Sequence, residues 1–382
     1  MKISLLLKRE PFEKILPQTL IDFFFRQGGT ASTVKWQNDK NGNWLINARL
    51  NVIFVSGANP IVFTQAKNEF SRSIVWWKRI LQKLYVQLAT AKRTARFFAS
   101  ASLVINPQLS GAKNIAIIGG NHHIRLLDYN NNCAYVISKT GFGKQFLSNE
   151  ITLRQTYSFL PIPRLLEIAP DKTWYSEELI GGIPLNRLPE SNKKSSALTQ
   201  IEKSLDELYR NTRQNIYLKT YLEQLTLSIL KNTTGNLLLS DDQRETIQDE
   251  LFNVLKFIKS RTLHNDKPFT LAQTHGDLQP GNILVDTDKA WLIDWEYTGQ
   301  RQITFDYFVF HLAARSPKNL NRRFFRQYAQ YNSDPAEKLK LLIFTLEELD
   351  LRLKEINNFQ FTSINAGLIL YLDELQKIIH FL

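Results

Sequence analysis

The residues of this chain best suited to chemistry lie in one segment, THGDLQPGNILVDTDKAWLIDWE, residues 274–296. His275, Asp277 and Asn282 stand in the spacing H-x-D-x-x-x-x-N, and Asp294 follows after two short apolar runs, ILV and WLI. Two carboxylates and a carboxamide at the ends of a hairpin are suited to holding Mg²⁺ and a hydroxyl nucleophile beside a nucleoside triphosphate. Phosphoryl transfer of that kind depends on positioning and charge neutralisation more than on covalent chemistry. Asp277 is expected to accept the proton of the substrate hydroxyl. Asn282 offers a neutral carbonyl oxygen to one Mg²⁺, and Asp294 a full charge to Mg²⁺ bridging the β- and γ-phosphates. His275 is expected to hold the loop by hydrogen bonds. Pro280 and Gly281 form a turn that aims Asn282 at the pocket of Asp277. The apolar runs 283–285 and 291–293, separated by polar residues 286–289, read as the two strands of a hairpin.

These groups need elements upstream to carry a nucleotide. Residues 115–139 read as three strands: IAIIGG, IRLLDY, then an NNN turn and CAYVISK. Gly119 and Gly120 let backbone N–H groups approach a phosphate. Lys139 closes the third strand, where an ammonium can reach the α- and β-phosphates. Eleven residues on, Glu150 lies in a segment with helical apolar spacing at Leu147, Ile151 and Tyr157, so that a helix would point it at Lys139 as an ion-pair partner. A further strand from Trp174 runs into Gly181-Gly182-Ile183-Pro184. Backbone groups from Glu178 to Ile180 are placed there to bond an adenine edge, with the purine between apolar side chains of two lobes.

Residues 115 to about 310 resemble the aminoglycoside phosphotransferase and choline kinase-like family, which shares the protein-kinase-like fold. The motifs that carry the resemblance are the Gly119-Gly120 turn, Lys139, Glu150, HGDLQPGN, IDWE, and Asp306 in TFDYFVF. It implies ATP and Mg²⁺ as cofactors, a small-molecule or glycan hydroxyl as acceptor, and Asp306 as a brace for the catalytic loop. Three positions depart from the family pattern. Gln279 stands where relatives often carry a cationic or hydroxylic side chain. The loop IIGGNHHIRL is short of the full glycine pattern, with Asn121 and His122 as substitute donors. IDWE stands where protein kinases have D-F-G, and only eleven residues separate Asp294 from Asp306, too few for a peptide-docking segment.

Charge is unevenly distributed. The chain's net charge is +12, of which residues 1–110 carry +11, while residues 271–300 carry −4, as a Mg²⁺ site requires. Residues 311–326 hold Arg315, Lys318, Arg322, Arg323 and Arg326 and no acid. That is either a solvated basic face or a sign that the acceptor is neutral or anionic. The first 110 residues lie outside the resemblance. Phe70, Ile74, Trp77, Leu81, Leu84 and Leu88 recur at steps of four and three, which predicts one long helix over residues 70–98. Eight cations against Glu69 alone lie between residues 67 and 96. Either the apolar stripe packs against its own domain, or the helix rests on an anionic membrane surface. No nucleic-acid motif accompanies it, so nucleic acid is not expected as a partner.

With 382 residues and 43% hydrophobic content, the chain can bury a full core and hold two or three domains. Its one cysteine, Cys133, forms no internal disulfide and suits a reducing compartment. ISLLL near the start is too short for a signal peptide, and no apolar run approaches the roughly 20 residues of a spanning helix. A cytoplasmic protein is expected, in contact at most with the inner membrane face. The fold expected is α+β and two-lobed, protein-kinase-like: a basic N-terminal domain over 1–110, a small β-rich lobe and hinge over 111–182, and a mainly helical lobe over 183–382. The function expected is ATP-dependent phosphorylation of a hydroxyl on a sugar or cell-envelope glycan. The alternatives are a small-metabolite kinase acting on choline, ethanolamine or a free sugar, and a pseudokinase serving as a binding module.

Overall fold

Continuous apolar runs in the strands, such as VIFV over 52–55 and IAII over 115–118, build a sheet with two covered faces. In the computed structural model, residues 2–28, 33–70, 75–189, 191–262, 268–316, 320–330, 335–357, 361–362, 368, 371 and 377 are described. The chain divides into two compact units, one of residues 1–151 and 163–180, the other of residues 152–162 and 181–382.

In the first unit, helices α1 (Ile3–Arg9) and α2 (Phe12–Arg26) precede strands β1 (Thr33–Gln37), β2 (Trp44–Asn47) and β3 (Val52–Val55). Helices α3 (Thr64–Phe70), α4 (Trp76–Thr90) and α5 (Ala95–Phe98) lead into β4 (Ala101–Asn106). Strands β5 (Ile115–Gly119), β6 (His123–Asp128) and β7 (Cys133–Ser138) form a meander. Helix α6 (Gln145–Thr156) then joins it to β8 (Leu165–Ile168) and β9 (Trp174–Glu178). All nine strands lie in one antiparallel sheet, ordered β1-β4-β2-β3-β5-β6-β7-β9-β8. The period of two decides which residues face which layer. Trp44, Ile46, Ile53, Val55, Ile115 and Ile117 face the layer under α1 and α2. Leu45, Val52, Phe54 and Ala116 face the opposite layer with Phe63, Val86, Ala89 and Ala95.

Two expectations are corrected here. Residues 1–110 are not a separate domain: β3 pairs with β5 through Ile53 and Ile117, so the boundary expected at 110 falls inside a continuous sheet. The segment 70–98 is not one helix, because α4 ends at Thr90 and Ala91 is extended before α5 begins. Ile74 and Arg72 lie outside the described residues. Trp77, Leu81, Leu84 and Leu88 of the apolar stripe are exposed, so that part of the stripe does not pack against its own domain, and Val86 and Ala89 are buried instead.

The second unit is mainly helical and carries two small sheets. Helix α7 (Ser191–Thr212) buries Ala197, Ile201, Leu205 and Leu208 at helical spacing. Strand β10 (Ile183–Pro184) precedes it, and β11 (Gln214–Tyr217) follows. Helices α8 (Leu218–Thr234) and α9 (Asp241–Thr262) come next. Strands β12 (Pro268–Thr274), β13 (Ile283–Asp286), β14 (Lys289–Leu292) and β15 (Gly299–Gln302) precede α10 (Phe305–His311), α11 (Leu320–Gln330) and α12 (Pro335–Asn357). The expected hairpin is β13-β14, in register from Ile283–Leu292 to Asp286–Lys289. It joins β10 in one sheet, and β12 lies between β11 and β15 in the other. Strands β11 and β12 were not foreseen within the helical stretch. The α+β class, with a sheet-rich first part and a mainly helical second part, is the one expected.

Candidate active site

Two strand ends hold the catalytic loop. Residues 275–282 leave β12 and enter β13, and Asp294 follows β14 on the way to β15. Thr274 pairs with Gly299, so the two segments are fixed side by side at their base. Hydrophobic burial anchors them from below, with Leu278, Ile283, Leu292 and Trp295 packed against Ile201, Leu205 and Leu208 of α7. Trp295 is wholly buried, which alone stabilises the fold by about 2–3 kcal/mol.

The loop's polar atoms are then placed one by one. Asp306, at the start of α10, accepts the N–H of His275 at 2.7 Å, the N–H of Gly276 at 2.9 Å and the Tyr209 hydroxyl at 2.8 Å. That is the bracing role its motif implies. Gly276 has φ +81°, and a Cβ there would fall 2.0 Å from the Tyr297 carbonyl oxygen, so only glycine fits. The His275 ring donates from Nε2 to the Ile293 carbonyl at 3.1 Å and accepts the Asp277 N–H at Nδ1, 3.2 Å away. One donor and one acceptor describe a neutral ring, and burial indeed lowers the His275 pKa. His275 therefore holds the loop, as expected.

Asp277 is buried and engaged on both oxygens. Oδ2 accepts from Asn282 Nδ2 at 2.8 Å and Gln279 Nε2 at 2.9 Å, and Oδ1 accepts from Arg315 Nε at 2.6 Å. Burial pushes its pKa up, the Arg315 charge pulls it back, and the Asp294 charge pushes it up again. The net upward shift favours a general base, whose proton affinity must approach that of the operating medium. Asn282 Nδ2 also donates to the Asp277 carbonyl at 3.0 Å. With both bonds made by the nitrogen, Oδ1 is the atom presented to a cation. Asp294 has φ +71°, a left-handed conformation that costs an L-residue roughly 1–2 kcal/mol and that Asp and Asn tolerate best. Among the described residues no cluster of three or more His, Cys, Asp or Glu lies at metal-binding spacing. The set Asn282 and Asp294 fits Mg²⁺, which commonly takes few protein ligands and completes its shell with water and phosphate oxygens.

Arg315 corrects the reading of residues 311–326 as a wholly solvated basic face. Its guanidinium is largely buried, bonded to Asp277, to Glu348 at 2.5 Å and to the Gly276 carbonyl. Glu348 in turn meets Arg352 at 3.4 Å, and Arg352 meets Glu355 at 2.9 Å. Burial raises the Glu348 carboxyl, but Arg315 and Arg352 overcome it and hold the group below its usual range. Arg323 donates to two carbonyl groups of its own segment, Ala313 and Ser316, leaving Arg322 and Arg326 as the exposed cations; Lys318 lies outside the described residues. Sequence reasoning missed Arg315 and Glu348 as supports of Asp277. A signal was present: an arginine closing the apolar run FVFHLAA, and Glu348, Arg352 and Glu355 at helical spacing in one helix.

The first unit places the remaining expected residues differently from one another. Gly119 ends β5, and a Cβ there would come 2.7 Å from Leu6 and 3.1 Å from Ile3; a Cβ on Gly120 would meet the His123 carbonyl at 2.7 Å. Close packing by α1 and a tight turn thus require these glycines. Lys139 is buried; its Nζ lies 2.5 Å from Glu10 Oε1 and 2.8 Å from the Asn121 carbonyl. Glu10, between α1 and α2, is an acidic partner of Lys139 that sequence reasoning missed. Glu150, expected to pair with Lys139, lies on α6 as foreseen and accepts the Tyr175 hydroxyl at 2.8 Å. Glu178 ends β9, and Ile180 is the last residue before the second unit resumes. The Glu178 N–H donates to the Arg164 carbonyl and the Leu179 N–H to the Asn132 carbonyl.

Comparison with known proteins adds an independent finding. The sequence model of the phosphotransferase enzyme family (APH) matches residues 196–342. No curated protein matches the chain. Among solved structures, a choline/ethanolamine kinase family protein from Mesorhizobium loti is 15% identical, over 78% of this chain and 95% of its own, with a TM-score of 0.45. A thermostable mutant of aminoglycoside phosphotransferase APH(4)-Ia, in a ternary complex with ADP and hygromycin B, is 11% identical, over 70% and 93%, with a TM-score of 0.46. Choline kinase LicA from Streptococcus pneumoniae is 13% identical, over 72% and 92%, with a TM-score of 0.43. The matched segment contains Asp277, Asn282, Asp294, Asp306 and Arg315, and over residues 196–342 the chain is similar to the phosphotransferase enzyme family.

Proposed function

We propose that this protein is an ATP- and Mg²⁺-dependent phosphotransferase that phosphorylates a hydroxyl group of a sugar or cell-envelope glycan. One observation carries the reading: Asp277 is buried, fixed on both oxygens, raised in pKa, and joined to an Asn282 whose Oδ1 is left for a cation. Asp277 accepts the proton of the acceptor hydroxyl. Asn282 and Asp294 hold Mg²⁺, which neutralises phosphate charge when bound. Lys139 serves the phosphates, Glu150 supports that lobe, and Gly119 and Gly120 shape the turn beside them. At the hinge the N–H groups of Glu178 and Leu179 are already used within the fold, so the adenine donor is assigned to Ile180. The absence of any acid from residues 311–326 supports a neutral or anionic acceptor over a polycation.

The test is thermal unfolding with ATP and Mg²⁺, comparing wild type with Asp294→Asn. Nucleotide at 100 times its dissociation constant should stabilise the native state by about 2.7 kcal/mol. A metal-dependent shift present in wild type and lost in the variant supports the site. Phosphate transfer to a panel of envelope glycans, free sugars, choline and ethanolamine then selects the acceptor.

A second reading, a binding module with weak or no turnover, is favoured by the contacts around Lys139. Glu10 holds the ammonium, and Leu6 and Ile3 fill the space over Gly119. No thermal shift with ATP, GTP or any divalent metal would put this reading first.

A further inference from the structure

Helix α4 has two apolar faces, and the fold uses one of them. Tyr85, Val86 and Ala89 pack into the layer over the sheet. Trp76, Trp77, Ile80, Leu81, Leu84 and Leu88 point elsewhere and are between 38% and 71% exposed. At 3.6 residues per turn these six side chains span an arc of roughly 140°, opposite the buried one, along a helix about 22 Å long. Folded proteins seldom leave so continuous an apolar strip in water without a use for it. Cations border the strip: Lys78, Arg79 and Lys83 on the helix, then Lys92 and Arg93 just beyond it, all exposed. Lys78 Nζ lies 5.3 Å from the centre of the Trp77 ring, so indole and ammonium reach the same level. Residues 70–98 contain no acid.

We propose that this face docks the protein on an anionic lipid bilayer, with α4 lying in the plane of the interface. Paired tryptophans suit the headgroup level, aliphatic side chains the acyl boundary beneath it, and flanking cations the anionic headgroups. No helix among the described residues is long and apolar enough to cross a membrane, so α4 attaches without insertion across the bilayer. A second copy of the chain is the weaker occupant. Self-pairing of this face would set two cationic borders against each other, with no acid in residues 70–98 to offset them. The proposal concerns the first unit alone and is independent of the phosphotransferase reading of residues 274–306.

The test is co-sedimentation of the full chain with phosphatidylcholine vesicles, with and without phosphatidylglycerol. Wild type should bind the anionic vesicles, and salt should weaken the binding. Lys83→Glu should weaken it by at least fivefold, the factor that about 1 kcal/mol per cation represents. Leu84→Glu should abolish it at unchanged thermal stability, since the side chain is exposed. Equal binding to phosphatidylcholine alone, or equal binding by both variants, would overturn the proposal. So would a wild-type dimer that Leu84→Glu converts to monomer, because a second copy would then cover the face.

Discussion

Lys139 Nζ sits 2.5 Å from Glu10 Oε1, with both side chains sealed from solvent and the two residues 129 positions apart in the chain. The pair ties the segment between α1 and α2 to the end of β7, beside Phe12 and Phe142, whose rings lie 5.6 and 5.0 Å from the ammonium. Burial pushes the Glu10 carboxyl up, and Lys139 opposes that shift. Glu10→Ala would remove the carboxylate bonded to this buried ammonium and should cost about 3–5 kcal/mol in urea unfolding. Replacing both residues by methionine should recover most of that loss. A single-variant cost under about 1 kcal/mol would show the pair to be solvated in solution.

Asp277→Asn removes the proton acceptor but keeps the side chain's size. Turnover should fall by at least ~100-fold, the scale of a lost general base, with nucleotide affinity nearly intact. Steady-state phosphate transfer together with nucleotide titration separates the two. Wild-type turnover in the variant would remove Asp277 from that role.

Arg315 should affect both stability and pH dependence. Arg315→Met strips the cation from buried Asp277 and Glu348 and should destabilise by about 3–5 kcal/mol. Because the Arg315 charge draws the Asp277 pKa down, its removal should raise that pKa further. The acid limb of the pH–rate profile should then move to higher pH, since the base acts only when ionised. Arg315→Lys should recover part of the stability but not the forked geometry. An unmoved acid limb would mean that Arg315 does not set the charge state of Asp277.

Glu347 gives a pH signature to the fold itself. It accepts the Tyr221 hydroxyl at 2.5 Å and the Gln302 N–H at 2.7 Å, and burial pushes its pKa up to about 7. A carboxyl raised in the native state binds more protons folded than unfolded, so its contribution to stability falls as pH rises from about 4.5 to about 7. Relative to Glu347→Gln, wild type should lose about 3 kcal/mol across that window and level off above it. Unfolding curves at several pH values check this, and parallel curves for the two proteins would refute it.

Asp294 combines a charge with a left-handed backbone. Asp294→Asn should fold nearly as well as wild type, since Asn tolerates φ near +71°. Asp294→Val should be destabilised by at least ~1–2 kcal/mol, because a β-branched side chain is strained there. Equal melting temperatures for the two variants would show that the loop relaxes out of this conformation.

Much of the second unit's site was legible because its parts are close in sequence. The β13-β14 hairpin, the turn at Pro280 and Gly281 and the hydrogen-bonding role of His275 follow from local spacing, while the brace at Asp306 came from the family resemblance. Helix α4 shows where local pattern fails. Its periodicity does mark a helix, but two apolar faces compete for burial, and periodicity alone cannot say which one the sheet covers. The supposed domain boundary at residue 110 failed for a related reason, because strand pairing between β3 and β5 is not encoded in composition.

Residue order by itself determined the turn and hairpin of residues 280–292, the three strands of residues 115–138 and the acidic charge of the 271–300 block. These depend on turn chemistry, side-chain period and charge, all of which act over a few residues. Only the tertiary structure decided that Lys139 meets Glu10 and that Arg315, 38 residues from Asp277, is a buried partner and not a surface cation. Long-range ion pairs have no local signature: which buried charge meets which depends on how the sheet and helices pack, because each must find an opposite charge wherever water is excluded.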